Sequence, residues 1–290
     1  MERIERVILD TDIGDDVDDA YALALLMGSP EVKLEAVTIN TGEQLPKARL
    51  ARKLLDLAGL STVPVYTGAQ GKYPGRVKEQ THWAADYASA GAIGEGAIEQ
   101  LVRRAAAEPG EITVIAIGPL TNIKLALEKD PNFGRNLRWL VVMGGSIVHG
   151  YDFGNKCAEG NIHCDIAASQ AVFASGANII LVPLDATARQ QITPKQMAEL
   201  AVADNALCDA LLELTTLCEY VYPTMHDPRA CAVVLTEELG RSFSARVEVS
   251  DAGLTNIVPG DPNCRVVLEP KIAEFFALMW PRLVCWEGRQ

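Results

Sequence analysis

Short apolar runs alternate with stretches of helical periodicity along most of the chain. Apolar runs bounded by turn residues predict buried strands at residues 7–9, 34–39, 63–66, 112–117, 139–143 and 178–183. Apolar residues at helical spacing predict helices at residues 20–27, 45–58, 97–107, 121–129, 165–175, 193–222 and 270–283, with a further helix starting at residue 226. A last pair of strands is predicted at residues 246–249 and 265–268.

Strands that alternate with helices require crossover connections, which are right-handed between parallel strands. We therefore predict an α/β fold with an open, mostly parallel, Rossmann-like sheet flanked by helices. No repeat, low-complexity segment or linker divides the chain, so residues 1–290 are expected to form a single domain. The Gly-rich, polar and aromatic stretch at residues 68–94 has no clear period, and loops of that length are often functional.

Composition narrows the classes of partner. Hydrophobic residues make up 49% of the chain, which is enough for a sizeable core, and the net charge of −12 argues against nucleic acid or an anionic membrane as a partner. The charged first residues do not resemble a secretory signal and no apolar stretch could span a bilayer, so we expect a cytoplasmic protein. The seven cysteines include no CxxC pair, which favours free thiols over a zinc site.

Six aspartates crowd the exit of the first predicted strand and the first turn of the next helix: Asp10, Asp12, Asp15, Asp16, Asp18 and Asp19. A solvated loop that only caps the helix is the simpler explanation, but one or two aspartates would suffice for capping. The helix that follows is apolar all round and therefore buried, which puts the loop at the end of a core element, where open α/β folds bind ligands. Clustered carboxylates at such a place suit a hard cation such as Ca²⁺ or Mg²⁺.

Other polar groups are predicted at strand exits or helix starts. They are Glu43, the turn at Ile117, the pair Glu159 and Asn161, and the pair His226 and Asp227. Each has an ordinary explanation as a cap or a loop residue, but the carboxyl ends of parallel strands open on one edge of the sheet, so these groups can converge. Together they would form a carboxylate-rich, cation-poor pocket, which suits a cation or a polyhydroxyl ligand better than a phosphate.

An ordered set of motifs resembles the nucleoside hydrolases of the inosine–uridine-preferring type. The motifs are DTDIG at residues 10–14, DDA at 18–20, IGPLTN at 117–122, VMGG at 142–145, AEGN at 158–161, VPLD at 182–185 and HDP at 226–228. The resemblance implies a Ca²⁺-dependent enzyme that hydrolyses the N-glycosidic bond of ribonucleosides. It also implies a small-molecule ribonucleoside as the partner, and we expect a homodimer or homotetramer.

The same resemblance implies roles for individual residues. Asp12 would be a calcium ligand and the general base for the attacking water, and the other calcium ligands would be Asp19, Asp227 and the backbone carbonyl of Ile117. Ribose hydroxyls would be bound by Asp18, Glu159 and Asn161, while Asp10 would support the site from behind. His226 would be the leaving-group acid, and a nearby carboxylate is expected to favour its charged form near neutral pH.

The sequence departs from the family pattern at several places. The aspartate loop is longer by one residue; the register is anchored on Asp18 and Asp19, and Asp16 stays open as an alternative ligand. Glu43 is taken as the counterpart of the family's usual Asn after the second strand and hence as a substrate-binding residue. The substrate loop matches poorly around His82, and Asn155 is a candidate for a second sugar-side Asn. Trp83 or Tyr87 could stack on a base or simply cover the loop.

Two alternatives remain on the sequence alone. A haloacid-dehalogenase-like phosphatase also begins with an apolar strand ending in Asp-x-Asp, with Asp10 as the nucleophile and Mg²⁺ as the metal, but Lys124 lies inside a predicted helix and no later acidic pair stands at a strand exit. A catalytically inactive, calcium-stabilised protein that binds nucleosides or ribose is the non-enzymatic alternative.

Overall fold

A computed structural model describes residues 3–71, 79–89, 91–218 and 220–286. The strands within these ranges form one sheet, and eight of them run parallel in the order β4-β3-β2-β1-β5-β6-β7-β10, with β8 and β9 antiparallel at the far edge. The strands are β1 Glu5–Thr11, β2 Val32–Ile39, β3 Val65–Thr67, β4 Ile93–Glu95, β5 Ile112–Ala116, β6 Trp139–Met143, β7 Ile179–Val182, β8 Phe243–Val249, β9 Thr255–Val258 and β10 Cys264–Val266.

Helices cover both faces of this sheet. They are α1 Asp18–Met27, α2 Gln44–Leu57, α3 Glu79–His82, α4 Ala97–Ala107, α5 Thr121–Lys129, α6 Phe133–Asn136, α7 Gly160–Cys164, α8 Ile166–Phe173, α9 Leu184–Thr187, α10 Pro194–Val202, α11 Ala206–Thr216, α12 His226–Ala232 and α13 Ile272–Val284. None of the helices in the described ranges is both long and apolar enough to cross a bilayer. The predicted α/β class with a mostly parallel, helix-flanked sheet is confirmed.

The strand order reverses at the centre of the sheet. The chain runs outward from β1 through β2 and β3 to β4, and then returns to place β5 on the other side of β1. Neighbouring connections on the two sides of β1 therefore diverge, which opens a crevice outside the carboxyl ends of β1 and β5. The aspartate loop follows β1 and enters this crevice directly.

Helix α1 is buried along its whole length and packs against α12. The two helices begin at the same edge of the sheet, so the first turn of α1 lies beside the first turn of α12. This packing depends on an apolar α1 sequence, since a helix with a polar face would not be enclosed on every side. It brings together residues more than two hundred positions apart in the chain.

Several predicted elements differ in extent. The segment predicted as mainly helical at residues 193–222 is two helices, because Asn205 caps the start of α11 and interrupts the run. The predicted terminal pair exists as β8 and β10, with β9 added at the edge. The predicted loop at residues 68–94 contains α3 and part of β4 where it is described, and residues 72–78 and 90 lie outside the described part.

Candidate active site

A pocket of about 470 Å³ lies in the crevice at the carboxyl ends of β1, β5 and β6. That volume is within the usual range for sites that bind small molecules. Its lining includes eight of the residues predicted from the sequence: Asp12, Asp18, Asp19, Ile117, Glu159, Asn161, His226 and Asp227. Glu43, the ninth predicted residue, is not part of the lining.

The tightest group in the pocket consists of Asp18, Asp19 and Asp227. Each is buried and offers a carboxylate oxygen, and the three oxygens lie within 4.8 Å of one another. The backbone N–H of Asp227 donates to Oδ2 of Asp18 over 3.1 Å, and the Thr11 hydroxyl donates to Asp19. Three buried carboxylates at this separation repel one another, and an all-oxygen donor set is the one that a hard divalent cation prefers.

The three buried carboxylates favour the binding of either protons or a cation. Burial raises the pKa of Asp19 and of Asp227 well above the ordinary aspartate value, and the charges of neighbouring carboxylates raise both pKa values further. Burial, and then the charge of Asp16, raises the pKa of Asp18 to about 7. Ionisation of all three carboxylates therefore destabilises the folded chain unless a positive charge is bound there.

This cost predicts an unusual pH dependence of stability in chelated protein. The folded carboxylates bind protons that the unfolded chain, with ordinary Asp pKa values of about 4, has already lost. The free energy of unfolding should therefore fall as the pH rises from about 4 to about 7, the pKa of Asp18, by an amount on the order of a few kcal/mol. Chemical unfolding at a series of pH values in chelator measures this slope.

The matched control for the pH experiment is Asp227→Asn, which removes one charge from the group. Its slope should be shallower than that of the parent chain. A stability that is flat or rises with pH across this window in chelated protein would contradict the electrostatics described for these three carboxylates.

Asp12 lies beside this group, where the chain leaves β1. Burial raises the pKa of Asp12, and the nearby Lys47 ammonium partly opposes that shift. A Cβ placed on Gly118 would lie 2.6 Å from Oδ1 of Asp12 and 2.7 Å from Oδ1 of Asn40, so only glycine allows these two side chains to approach the turn after β5. The oxygens of Asp12 and Asn40 therefore both lie close to the position that a side chain at residue 118 would occupy.

The longer aspartate loop is accommodated by an ion pair. Lys47 of α2 approaches Asp15 to 2.9 Å, and both side chains are almost fully buried. The negative charge of Asp15 is thus balanced within the chain, whereas Asp18 and Asp19 face Asp227. Asp16 also lines the pocket but does not belong to the three-carboxylate group, and the register anchored on Asp18 and Asp19 stays a prediction.

Asp10 supports the pocket from within the sheet. It is fully buried, and its carboxylate accepts hydrogen bonds from Thr38 at 2.6 Å, Asn40 at 2.8 Å and Asn122 at 2.7 Å. Burial raises the pKa of Asp10 to about 6 although these three bonds oppose the shift. Asp10 accepts a hydrogen bond from Asn40 and so fixes that side chain. The Oδ1 atom of Asn40, like that of Asp12, lies close to Gly118.

Glu43 is a correction to the sequence prediction. It is exposed at the N-cap position of α2, outside the pocket lining, and Asn40 holds the place at the end of β2 that was assigned to Glu43. The reason is the backbone of Thr41 and Gly42, with φ of 53° and 60°, which turns the chain away from the sheet edge after Asn40. The side chain three residues later then points to the surface.

We expect Glu43→Asn to leave the relative rates on different substrates unchanged within about twofold, because surface substitutions rarely shift energies by more than about 0.5 kcal/mol. Asn40→Ala is the comparison, since it removes the oxygen beside Asp12 and a hydrogen bond to Asp10, and it should lower activity strongly. Steady-state rates on several nucleosides distinguish the two variants. A changed substrate profile in Glu43→Asn alone would contradict the placement of Glu43 outside the pocket.

Glu159 and Asn161 form the wall next to β6. The Glu159 carboxylate caps α7, accepting from the backbone N–H of Asn161 at 2.8 Å and Ile162 at 3.1 Å, and it also accepts from Gly145 at 2.9 Å. Asn161 donates its Nδ2 to the Ile117 carbonyl at 2.9 Å and to the Met143 carbonyl. The amide oxygen of Asn161 therefore remains available to a ligand in the pocket. The carbonyl of Ile117, which was predicted as a calcium ligand, already accepts one hydrogen bond.

His226 enters the pocket at the start of α12. Its Nδ1 lies 2.8 Å from the hydroxyl of Thr187, and the ring of Tyr151 meets it edge-on with 6.1 Å between centroids. Burial lowers the pKa of His226 to about 4. A neutral imidazole is therefore favoured near neutral pH over the charged form expected from the sequence, because burial disfavours the charged form.

Some predicted residues stay away from the pocket. His82 and Asn155 are exposed. Trp83 donates its indole N–H to Glu213 and has the Lys53 ammonium 3.4 Å from its ring centroid, while Tyr87 donates to Asp56 over 3.0 Å. Neither Trp83 nor Tyr87 is part of the pocket lining, so covering the loop is the role that the described contacts support.

Other lining residues were missed by the sequence argument. They come from three segments of the chain, and Tyr220 and Tyr222 fall in the segment that was predicted to be mainly helical. The missed residues include Tyr151, Asp152, Gln191, Tyr220, Tyr222 and Thr224. Asp152 has φ of 54° and Phe153 has φ of 59°, so the loop that carries Tyr151 adopts the left-handed conformation at two consecutive non-glycine residues. The available signal in the sequence was a group of tyrosines, and tyrosines alone do not predict which loops fold back onto the pocket.

Comparisons with known proteins agree with this geometry. The fold superimposes on that of a solved plant nucleoside hydrolase, the PpNRh1 enzyme, with a TM-score of 0.84 at 26% identity over 97% of this chain and 99% of that one. A family model described as inosine-uridine preferring nucleoside hydrolase matches residues 7–277. The chain therefore belongs to the inosine-uridine preferring nucleoside hydrolase family, and the expected enzyme class, a hydrolase acting on N-glycosyl compounds, is confirmed.

Two sequence relatives illustrate the range of the family. The chain is 36% identical to the probable uridine nucleosidase 2 of Oryza sativa subsp. japonica over 211 residues, which cover 68% of this chain and 61% of that protein. It is 30% identical to the pyrimidine-specific ribonucleoside hydrolase RihA of Enterobacter sp. (strain 638), over 85% of this chain and 84% of that protein.

Proposed function

We propose that the chain hydrolyses the N-glycosidic bond of ribonucleosides in a Ca²⁺-dependent reaction and releases ribose and the free base. The observation that carries this proposal is the group of buried carboxylates of Asp18, Asp19 and Asp227 at the switch point of the sheet. The names of the two sequence relatives, a uridine nucleosidase and a pyrimidine-specific ribonucleoside hydrolase, support ribonucleosides as the substrate class.

The residues of the pocket fit a calcium ion. The proposed ligands are Asp12, Asp19, Asp227 and the Ile117 carbonyl, which are all oxygen donors, and Asp18 lies close enough to the group to share the ion or to bind a ribose hydroxyl. Calcium accepts six to eight oxygen ligands, so ribose hydroxyls and water could complete the set. When bound, the ion would supply Lewis-acid polarisation and lower the pKa of an attacking water.

The chain's own groups account for the rest of the proposed chemistry. Asp12 is the proposed general base, since its carboxylate stands at the edge of the group and next to Asn40. The sugar becomes positively charged as the glycosidic bond breaks, and the carboxylates of Asp18 and Glu159 with the amide oxygen of Asn161 are already oriented around it. Groups held in place before the reaction stabilise such a charge without reorganising.

The same pocket disfavours phosphate. The backbone N–H groups of Gly145, Asn161 and Ile162, which could otherwise cradle an anion, already donate to the carboxylate of Glu159. Several further carboxylates line the pocket, and they repel a second anion. We therefore propose nucleosides rather than nucleotides as substrates.

The phosphatase alternative meets a structural obstacle. Its nucleophile would be Asp10, whose two carboxylate oxygens are fully buried and accept hydrogen bonds from Thr38, Asn40 and Asn122. A nucleophile needs an open path to the substrate, and Asp10 has none. The inactive binding protein differs from the proposal only in turnover, which the following assay measures. The cytoplasmic location and the homo-oligomer stay predictions.

The test is ribose release from uridine, cytidine, inosine and adenosine with added calcium, run beside the corresponding 5′-monophosphates. We expect release of reducing sugar from at least one nucleoside and a far lower rate from its 5′-monophosphate. Binding of nucleosides without any release of sugar would support the inactive alternative, and equal rates on nucleosides and nucleotides would contradict the proposed exclusion of phosphate.

A further inference from the structure

A threonine that does not reach the pocket is in contact with one of its central side chains. Thr187 is the last residue of α9, which follows β7, and its side chain is completely buried. Its Oγ1 lies 2.8 Å from Nδ1 of His226, at the start of α12. The contact joins two helices that pack against each other at the carboxyl edge of the sheet.

The direction of this hydrogen bond follows from the surroundings of the hydroxyl. An imidazole with one proton can either accept at Nδ1 or donate from it. If Nδ1 carried the proton and donated, the hydroxyl hydrogen of Thr187 would need another acceptor, and the described part of the chain offers none. A buried donor without a partner costs about 1–3 kcal/mol, so the hydroxyl donates to Nδ1.

The other ring nitrogen is the one left to the pocket. Thr187 does not line the pocket and His226 does, so the Nδ1 edge of the ring is turned inward to Thr187. Across the described ranges, Nε2 of His226 has no protein hydrogen-bond partner. The ring is further confined by Tyr151, whose aromatic ring stands at 83° to it.

We propose that Thr187 is a positioning residue. It takes no part in the chemistry itself, but its hydroxyl donates to Nδ1 of His226 and so holds the ring proton on Nε2, facing the leaving group. This inference rests on the proposed function. With the proton on Nε2, His226 donates a hydrogen bond to a carbonyl oxygen or ring nitrogen of the departing base as negative charge develops there. The opposite tautomer would present a lone pair to the same atom and would repel it.

Two substitutions separate the hydroxyl from the shape of the side chain. Thr187→Val keeps the branched side chain and removes the donor, whereas Thr187→Ser keeps the donor and removes a methyl group. We expect Thr187→Val to lower kcat on uridine or inosine by about 10- to 100-fold, part of the roughly 10²–10³-fold that one positioned hydrogen-bond donor is worth, with KM little changed. On p-nitrophenyl riboside, whose leaving group is already activated, the loss should be small, and Thr187→Ser should restore most of the rate on nucleosides.

The direct readout is the tautomer of His226, measured by nitrogen-15 NMR of the imidazole rings. The chain has four histidines, so the spectrum is simple, and His226→Gln identifies the signal. Recording at about pH 9 keeps the imidazole neutral, since the ordinary histidine pKa is about 6.5. We expect the proton on Nε2 in the parent chain and in Thr187→Ser, and a mixture of tautomers in Thr187→Val.

The outcomes distinguish this inference from the proposed function. A parent chain with the proton on Nδ1, or a Thr187→Val tautomer identical to that of the parent, overturns the role of Thr187 whatever the activity. Equal losses on nucleosides and on p-nitrophenyl riboside also overturn it, because they would show a structural role only. A chain that releases no ribose from any nucleoside, with the tautomers as expected, would contradict the proposed function and leave the hydrogen bond established.

Discussion

Asp227→Asn should reduce ribose release by about 10³-fold or more and weaken calcium binding. The substitution removes one of three carboxylates that lie within 4.8 Å of one another and exchanges a charged ligand for a neutral amide. Metal ions contribute several kcal/mol to transition-state stabilisation, and each 1.4 kcal/mol is tenfold in rate. Initial rates at saturating calcium and calcium titration by calorimetry measure the two effects, and Asp12→Ala should lose activity to a similar extent.

The stability of Asp227→Asn shows whether its loss of activity comes from the missing calcium ligand or from a defect in folding. The carboxylates of the group raise the pKa values of one another, so removing one charge should stabilise the chelated protein near neutral pH and raise its Tm. Asp16→Asn removes the same charge from the same loop outside the three-carboxylate group, and calcium binding should suffer much less. Comparable calcium affinity in Asp227→Asn and the parent chain, or a larger defect in Asp16→Asn, would contradict the ligand assignment.

The second large effect concerns the leaving group. His226→Ala should slow hydrolysis of uridine or inosine by roughly 10²–10³-fold, the usual cost of removing one positioned hydrogen-bond donor to a developing negative charge. The imidazole is fixed by Thr187 and Tyr151 at the wall of the pocket, and enclosure lowers its pKa to about 4. We therefore propose that it acts at neutral pH as an uncharged hydrogen-bond donor through one ring nitrogen.

The comparison for His226→Ala is a substrate that needs no such donor. Rates on p-nitrophenyl riboside should fall far less than rates on nucleosides, since its leaving group departs without a proton. Parallel losses on both kinds of substrate would mean that His226 only orients Asp227 or the sugar. The donor would then have to be another lining residue, and Tyr151, whose ring meets the imidazole edge-on, is one candidate.

The sequence was sufficient for the fold and for the aspartate loop because both are local patterns. Alternating strands and helices predict a parallel sheet, and the exit of β1 into a buried helix predicts a ligand site at that edge. The short strand β4 was missed because it lies in the Gly-rich stretch without a clear period, and β9 was missed because its sequence, TNIV, is not an apolar run. The contact of Asp227 with Asp18 spans 209 positions and depends on the packing of α1 against α12, so only the family resemblance indicated it.

The errors at the site have equally specific causes. Glu43 was misplaced because two left-handed residues, Thr41 and Gly42, turn the chain immediately after Asn40, and their conformation is not evident from a Thr-Gly pair. The charge of His226 was misjudged because its enclosure is a property of the folded pocket, which the sequence does not display. Thr187 was overlooked because nothing in its neighbourhood along the chain connects it with a histidine 39 positions away.

The central claim is that hydrolysis requires an ion held by the buried carboxylates. Its most direct test is ribose release from the nucleoside that reacts fastest, measured after exhaustive chelation and then during stepwise return of calcium. We expect no release above background in chelator and recovery that saturates with one ion bound per chain. An unchanged rate after the ion has been removed would contradict it.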